Sequence, residues 1–260
     1  LAFGGQLNPG LTANTESWDG TSWTEVANLN AAKFIGGSNG TQTSALFYGG
    51  APGSPGVATN ESWNGTNWTE LNDLNTAREG LGGAGADNTT ALGFGGNNPP
   101  QAQTEEWNGT NWTEVADLNT GRTKMASNGT VTAALAAGGT TGSNTTATEE
   151  WTVGTIAIGA WSTANTMNVG RYALAGAGAN NTAGLAFGGN FPPGDNLSAL
   201  TESYNGTNWT EVNDLNTARQ NISGNGIYTS ALAFGGFVPP GNTVTGVTES
   251  WNGTNWTEVN

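Results

Sequence analysis

The sequence predicts an all-β fold, a six-bladed β-propeller, because three landmarks recur at one spacing along the whole chain. A Gly-Gly pair ends an apolar run six times, and its first members are Gly4, Gly49, Gly95, Gly138, Gly188 and Gly235. Copies of a WNGTNWTEV segment follow these pairs. A basic residue lies after an LN-type turn at Lys33, Arg78, Arg122, Arg171 and Arg219. Together the landmarks define a repeat of about 46 residues.

Each repeat predicts four short strands, as the third copy illustrates. Its strands are expected over residues 79–85, 90–96, 104–107 and 112–115. The Asn108-Gly109 pair between the last two favours a tight hairpin, because Asn and Gly accept the positive φ of such turns. No apolar pattern of helical period competes with this interpretation. Four strands per repeat are typical of a propeller blade.

The repeats predict a single domain over residues 1–260, with blade units 1–30, 31–75, 76–119, 120–168, 169–216 and 217–260. Strands two to four occur six times, whereas strand one follows a basic residue only five times. The first blade is therefore expected to lack its innermost strand. We expect either that the protein continues past Asn260 or that another chain donates this strand, which would produce self-association through the open edge. A five-bladed ring with a spare segment would leave more edge uncovered.

Composition excludes several classes of function. The chain has no Cys and no His, which removes disulfides, thiol nucleophiles, imidazole bases and the usual zinc or copper ligands. No cofactor and no metal site is predicted. A net charge of −14 with only six basic residues disfavours nucleic-acid and membrane partners. Eleven Trp and eight Phe argue against disorder, since they require a core.

The repeat resembles the kelch repeat over essentially the whole chain. The resemblance rests on a basic residue, a small-residue strand, the segment Phe234-Gly235-Gly236, a variable loop, and then Trp251 and Trp256. Two departures occur: the first aromatic position is mostly Trp instead of Tyr, and the fourth repeat has a longer hairpin over 152–160. The near-identical copies are also similar to repetitive kelch-like proteins of bacteria and tailed phages. The resemblance implies a propeller whose first blade borrows its innermost strand from the C-terminal end of the chain. The copper-radical oxidation that some kelch-like propellers perform needs His and Cys, and so is excluded here.

Two aromatic positions flank the hairpin turn of every repeat. Eleven of the twelve hold Trp18, Trp23, Trp63, Trp68, Trp107, Trp112, Trp151, Trp161, Trp209, Trp251 and Trp256, and the twelfth holds Tyr204. Because these positions repeat regardless of loop variation, we interpret them as packing between blades. The alternative is a ring of platforms for stacking sugars.

The candidate binding residues lie in the loops between strands two and three, which antiparallel order places on one face. These variable loops span residues 6–13, 51–58, 97–103, 140–146, 190–200 and 237–246. Variation on one face of a rigid frame indicates recognition, so we select Phe191, Pro192, Phe237, Pro239 and Pro99 as candidate ligand contacts.

The repeated cations begin strand one on the same face. We expect Lys33, Arg78, Arg122, Arg171 and Arg219 to pair with the repeated glutamates of the WTE segment, Glu70, Glu114 and Glu211. The alternative role of the arginines is to bind an anionic ligand.

These observations predict a non-enzymatic structural or adhesive module, extracellular or virion-associated, that recognises glycan or protein through its loops. One rival function is polysaccharide hydrolysis, which needs two carboxylates at a set separation. Asp87, Asp195 and Glu79 fall outside the repeated acidic positions but form no evident pair. Another rival is a subunit of an extracellular fibre assembled by strand donation.

Overall fold

The computed structural model describes residues 1–7, 9–53, 55–97, 99–155, 158–191, 196–240 and 243–259. All regular elements in these ranges are β-strands, and no helix among them is long and apolar enough to cross a membrane. The strands form six antiparallel sheets, which we call blades 1 to 6, and two small ribbons.

Blades 1 to 3 contain the first eleven strands. Blade 1 comprises β1 (Ala2–Phe3), β2 (Thr15–Trp18) and β3 (Trp23–Val26). Blade 2 comprises β4 (Gly37–Thr41), β5 (Ser44–Tyr48), β6 (Asn60–Trp63) and β7 (Trp68–Leu71). Blade 3 comprises β8 (Gly82–Asp87), β9 (Thr90–Phe94), β10 (Thr104–Trp107) and β11 (Trp112–Glu114).

Blades 4 to 6 contain the remaining strands. Blade 4 comprises β12 (Ala126–Thr130), β13 (Ala133–Ala137), β14 (Thr148–Val153) and β15 (Gly159–Ala164). Blade 5 comprises β16 (Ala175–Asn180), β17 (Ala183–Phe187), the ribbon β18 (Asn190–Phe191) and β19 (Asn196–Leu197), β20 (Thr201–Tyr204) and β21 (Trp209–Val212). Blade 6 comprises β22 (Ser223–Ile227), β23 (Ser230–Phe234), the ribbon β24 (Phe237–Val238) and β25 (Thr243–Val244), β26 (Thr248–Trp251) and β27 (Trp256–Glu258).

The hairpin between the last two strands of a blade forms as the Asn-Gly pair predicts. In blade 2 the Asn64 Oδ1 atom accepts hydrogen bonds from the backbone N–H groups of Thr66 and Asn67, at 3.0 and 2.9 Å. Gly65 has a φ of +91°, a conformation that residues with a Cβ rarely adopt. The turn sets Trp63 directly opposite Trp68 in the antiparallel register.

Inner strands of neighbouring blades lie close together because they are built from small residues. Contacts run from β4 to β8, from β8 to β12, from β12 to β16 and from β16 to β22. At Gly83, an added Cβ would lie 2.5 Å from the Tyr48 hydroxyl and 2.6 Å from the Ser38 carbonyl oxygen. A larger residue would therefore force two blades apart.

Tryptophan side chains fill the wedge between blades, as the sequence predicts. Nine of the eleven tryptophans are buried, and so is Tyr204. The tryptophan of the fourth strand donates its indole N–H to a threonine hydroxyl on the preceding blade, at 2.9 to 3.1 Å, in the pairs Trp68–Thr15, Trp161–Thr104, Trp209–Thr148 and Trp256–Thr201. The tryptophan of the third strand instead bonds within its own blade: Trp107 donates to the carbonyl of Asn88 at 3.2 Å.

The same contact closes the ring between the last blade and the first. Trp23 of blade 1 donates its indole N–H to the Thr248 hydroxyl of blade 6 at 3.0 Å. Its ring also packs on Phe234 of blade 6, with a centroid separation of 5.4 Å. Six blades therefore surround one axis, which confirms the predicted propeller and contradicts the five-bladed alternative. Blade 1 has three strands where the others have four, so the predicted lack of an innermost strand is confirmed for the described residues.

The first strand of a blade begins later than the sequence predicts. In blade 3 the strand starts at Gly82 instead of residue 79. The preceding residues turn, with a φ of +66° at Gly80, before the chain becomes extended. This turn contributes to the candidate site.

Candidate binding face

The five repeated cations are buried in ion pairs with glutamates. The pairs are Lys33–Glu61 at 3.3 Å, Arg78–Glu105 at 2.8 Å, Arg122–Glu149, Arg171–Glu202 at 2.7 Å and Arg219–Glu249 at 2.7 Å. The predicted structural pairing is correct, but the predicted partners Glu70, Glu114 and Glu211 are wrong. The true partners belong to the third strand, which lies nearer the axis, whereas the WTE glutamates lie exposed on the fourth.

Both carboxylate oxygens of each glutamate have partners. In blade 3, Arg78 donates to Glu105 Oε1 at 2.8 Å, while the backbone and side-chain N–H groups of Asn75 donate to Oε2 at 2.7 and 2.8 Å. Burial lowers the pKa of Arg78, and the facing carboxylate of Glu105 opposes that change. Although the Arg78 Nε atom lacks a partner among the described residues, the buried pair acts as scaffold, because its charge is not presented to solvent.

The Gly-Gly pairs fix the position of each cation. The second glycine of the pair donates its backbone N–H to the carbonyl of the cation in the next blade, as Gly50 does to Arg78 at 2.8 Å. The first glycine must lack a side chain, because a Cβ on Gly49 would lie 2.6 Å from that same carbonyl oxygen. The Gly-Gly pair of one repeat and the basic residue of the next are thus parts of a single contact between neighbouring blades.

Two residues follow each cation and form a turn around the central axis. We call these pairs the mouth turns: residues 34–35, 79–80, 123–124, 172–173 and 220–221. Their second residues all have left-handed backbone, with φ of +48° at Ile35, +66° at Gly80, +54° at Lys124, +55° at Ala173 and +48° at Asn221. Four of the five are not glycine, so the surrounding structure must offset the strain of that conformation.

Hydrogen bonds from blade to blade provide that constraint. In four of the five mouth turns the backbone N–H of the second residue donates to the carbonyl of its counterpart in the preceding blade, at 2.7 Å for Gly80 to Ile35, 2.8 Å for Lys124 to Gly80, 2.9 Å for Ala173 to Lys124 and 2.9 Å for Asn221 to Ala173. The first residues pair with the variable loops, for example Tyr172 with Asn190 and Gln220 with Phe237. The mouth turns and the variable loops therefore form one surface, which we call the loop face.

A cleft of about 290 Å³ lies on this face and is built from three consecutive blades. The mouth turns contribute Glu79, Gly80, Thr123, Lys124 and Tyr172, and the variable loops contribute Asn97, Pro100, Thr140 and Gly142. Its volume is at the lower end of the range of small-ligand sites.

Three polar side chains of the cleft have no partner within the described protein. No hydrogen bond or ion pair there engages the side chains of Glu79, Lys124 or Tyr172, whereas Thr123 donates its hydroxyl to the Gly80 carbonyl at 3.0 Å. Lys124 is also exceptional among the six basic residues, because the other five are buried in ion pairs. The cleft therefore offers a carboxylate, an ammonium and a phenol to a ligand.

The loop residues selected from the sequence lie on this face but outside the cleft. Phe191 and Phe237 are half-buried in the ribbons of blades 5 and 6, and Pro99 and Pro239 are exposed. Pro192 lies outside the described residues. The arginines selected with them are buried below the surface, so they are left out of the binding face.

Sequence reasoning did not include the mouth turns among the candidate binding residues. The available signal was the dipeptide after each repeated cation, which changes from Phe-Ile to Glu-Gly, Thr-Lys, Tyr-Ala and Gln-Asn between repeats. This dipeptide varies although it directly follows a residue that is always basic, which distinguishes it from the repeated structural positions. No cluster of three metal-binding side chains occurs among the described residues.

The fold, the closed ring and the loop face define this protein as a six-bladed β-propeller. It is similar to the solved structure of YjhT, with a TM-score of 0.74, 14% sequence identity, and coverage of 95% of this chain and 91% of that one. No family model and no curated protein matches the sequence. The similarity establishes the propeller fold, and the resemblance to the kelch family stays a prediction.

Proposed function

We propose that this chain is a non-enzymatic, adhesive recognition module, extracellular or virion-associated, that binds a glycan through the cleft of its loop face. The observation that carries the proposal is the convergence of Glu79, Lys124 and Tyr172, from three different blades, as polar groups that the described protein leaves unpaired. Glu79 and Tyr172 are half-buried and Lys124 is exposed, so water solvates these groups in the free protein, and a ligand with complementary polar groups can replace that water.

The chemistry of the cleft favours a sugar over a protein surface. An aromatic ring with a hydroxyl provides an apolar face and a polar edge, which matches a sugar ring with its C–H face and its hydroxyl groups. Thr140 adds a hydroxyl and Lys124 adds a donor, so several sugar oxygens can be engaged together. A protein partner would instead need a larger and flatter contact area than this cleft presents.

The rival function, polysaccharide hydrolysis, receives less support from the geometry. A glycoside hydrolase of the common kind places two carboxyl groups on either side of the scissile bond. Among the described residues, Glu79 is the one carboxylate that lines the cleft. Asp87 is the last residue of strand one of blade 3, at the end opposite the loop face, and Asp195 lies outside the described residues.

A glycan array probed with the labelled chain tests the proposal. We expect binding to a defined set of glycans, weakened at least about tenfold by Tyr172→Ala and by Lys124→Ala, since each removes a direct contact. Thr110→Ala, in an exposed hairpin on the opposite face, is the matched control and should bind as the unmodified chain does. Equal binding by a Tyr172→Ala/Lys124→Ala double variant, or binding to no glycan at all, would contradict the proposal.

A further inference from the structure

The outer edge of blade 4 differs from the outer edges of the five other blades. In those blades the fourth strand carries an exposed glutamate two residues after its tryptophan, at Glu25, Glu70, Glu114, Glu211 and Glu258. In blade 4 the same position holds Thr163, and residues 159–168 include no acidic residue. A charged side chain on an edge strand is one of the ways in which proteins prevent edge-to-edge pairing. The edge of blade 4 lacks this protection.

The hairpin that forms this edge is also longer and more apolar than its counterparts. β14 and β15 have six residues each, whereas the equivalent strands β10 and β11 of blade 3 have four and three. The turn of blade 3 has the polar sequence Asn-Gly-Thr-Asn, whereas Ile158 directly precedes β15. Its side chain is 64% exposed. The lengthened edge thus begins with an apolar residue in solvent.

The backbone of β15 turns hydrogen-bonding groups away from the sheet. β15 is the last strand of its sheet and pairs with β14. Val153 of β14 donates its backbone N–H to the Thr132 carbonyl at 3.2 Å, so its backbone faces away from β15. Gly159 lies opposite Val153 in the antiparallel register and therefore turns its own N–H and C=O groups outward. Because this orientation alternates along a strand, Trp161 turns its backbone groups outward as well.

The side chains beside these groups leave room for another strand. Ile158, Ala160 and Ser162 share one face of the chain because side chains alternate along a strand, and all three are exposed. The Trp161 side chain is on the other face and is buried. An open strand edge beside exposed apolar surface is a site at which another strand can add.

We propose that β15 pairs with β15 of a second copy of this chain, antiparallel and about a two-fold axis. Such an axis brings the same strand from both copies together, so β15 supplies both halves of the interface. Gly159 lies opposite Trp161 of the second copy, and the two exchange N–H to C=O hydrogen bonds. Asn119 already donates to the Trp161 carbonyl at 3.2 Å, and the second lone pair of that oxygen accepts the new bond. Ile158 packs against Ser162 of the second copy.

Charge selects both this edge and this occupant. The net charge of −14 makes two copies repel each other, so contact is least unfavourable where acidic residues are absent. The same pairing at the edge of blade 3 would bring Glu114 of each copy onto paired strands, where like charges are destabilising. A cationic partner would instead favour the five acidic edges. The uncharged edge therefore fits a second copy.

Sedimentation equilibrium of the full chain measures this association. We expect a reversible equilibrium between monomer and dimer, with a dissociation constant that falls as salt screens the negative charge. Thr163→Glu gives blade 4 the glutamate of the other repeats and should raise the dissociation constant at least about tenfold. Ile158→Ser, which removes apolar surface from the interface, should raise it as well. Amide hydrogen exchange at Gly159 and Trp161 should slow at concentrations at which the dimer forms.

Thr69→Glu is the matched control, since Thr69 is exposed on the outer strand of blade 2 and the substitution adds the same charge there. It should leave the dissociation constant unchanged. The inference is overturned if the chain stays monomeric up to about 1 mM, the weak end of specific affinity, or if particles larger than a dimer form. It is equally overturned if Thr163→Glu and Ile158→Ser associate as tightly as the unmodified chain, or if Thr69→Glu weakens association as much as Thr163→Glu.

Discussion

The contact between blades 3 and 4 and the contact between blades 2 and 3, which we call seams, differ in the partner of a buried indole N–H. Both have an aromatic ring packed on the fourth-strand tryptophan at a centroid separation of 4.7 Å, Phe94 on Trp161 and Tyr48 on Trp112. In the first seam Trp161 donates to the Thr104 hydroxyl at 3.1 Å. In the second, Asn60 replaces that threonine, and the Trp112 N–H and the Asn60 Oδ1 atom are both buried without a partner among the described residues.

This difference shows that equivalent positions of the repeats can be compared with one another within a single protein. The rings lie at the same centroid separation in the two seams, but Tyr48 also donates its hydroxyl to the Leu92 carbonyl at 2.9 Å, a hydrogen bond that Phe94 cannot make. The contrast therefore combines a missing indole bond with an added phenol bond, and substitutions are needed to separate the two. It also shows that the fold tolerates a buried indole N–H without a hydrogen-bond partner among the described residues. Four substitutions, from the largest expected effect to the smallest, test this contrast.

The largest effect is expected from breaking a feature that both seams share, the buried ion pair. Glu149→Ala leaves the guanidinium of Arg122 buried without its carboxylate, and it also removes the acceptor of Asn119. The free energy of unfolding should fall by about 3–5 kcal/mol, measured by chemical denaturation. Glu114→Ala, which removes an exposed carboxylate of the adjacent blade 3, should change it by less than about 0.5 kcal/mol. Similar losses in the two variants would show that the pair is not structural.

The second substitution removes the indole hydrogen bond from the seam between blades 3 and 4, so that this seam resembles the one between blades 2 and 3. Thr104→Val keeps the shape of the side chain but removes the hydroxyl, which leaves the Trp161 N–H buried without an acceptor. The free energy of unfolding should fall by about 1–3 kcal/mol. Ser127→Ala, which removes a hydroxyl that accepts from Gly83, is a comparison for the loss of one hydrogen bond without a buried indole. An unchanged stability for Thr104→Val would mean that the indole finds water or another acceptor.

The third substitution supplies the missing hydrogen-bond acceptor in the seam between blades 2 and 3. Asn60→Thr gives Trp112 the acceptor that its counterparts have, and it removes the orphaned amide oxygen. The free energy of unfolding should rise by about 1 kcal/mol, even though the bond from the Asn60 amide to the Asn72 carbonyl is lost. Asn60→Val, with the same shape and no hydroxyl, should not show this gain. Equal stability of the Thr and Val variants would refute the role of the hydrogen bond.

The smallest effect concerns the seam between blades 1 and 2, where the cation is Lys33 instead of arginine. Burial lowers the pKa of Lys33 below its ordinary value of 10.5. Between its folded pKa and 10.5 the unfolded chain binds more protons, so this residue makes the free energy of unfolding rise with pH in that window. Arginine does not release its proton there, so Lys33→Arg should remove this contribution. Denaturation curves of both proteins at pH 7 and pH 10 measure the difference; parallel responses would contradict the assignment.

The features that repeat could be predicted from the sequence, and those that combine several blades could not. The strand from Thr104 to Trp107 was located correctly because an aromatic residue and an Asn-Gly turn mark its end. The partner of Arg78 was predicted wrongly because two glutamates per repeat share the same period, and only the sheet shows that Glu105 is nearer the axis. The cleft was missed because Glu79, Lys124 and Tyr172 belong to different repeats and share no motif.

Closure of the ring has a consequence for how the chain folds. The bond between Trp23 and Thr248 joins residues separated by 225 positions, whereas the four other indole bonds between blades span 53 to 61 positions. The entropy lost in closing a loop grows with its length, and contacts distant in sequence form slowly. Blades 2 to 5 can therefore assemble on one another in order of synthesis, and the joining of blade 6 to blade 1 is the step that completes the domain.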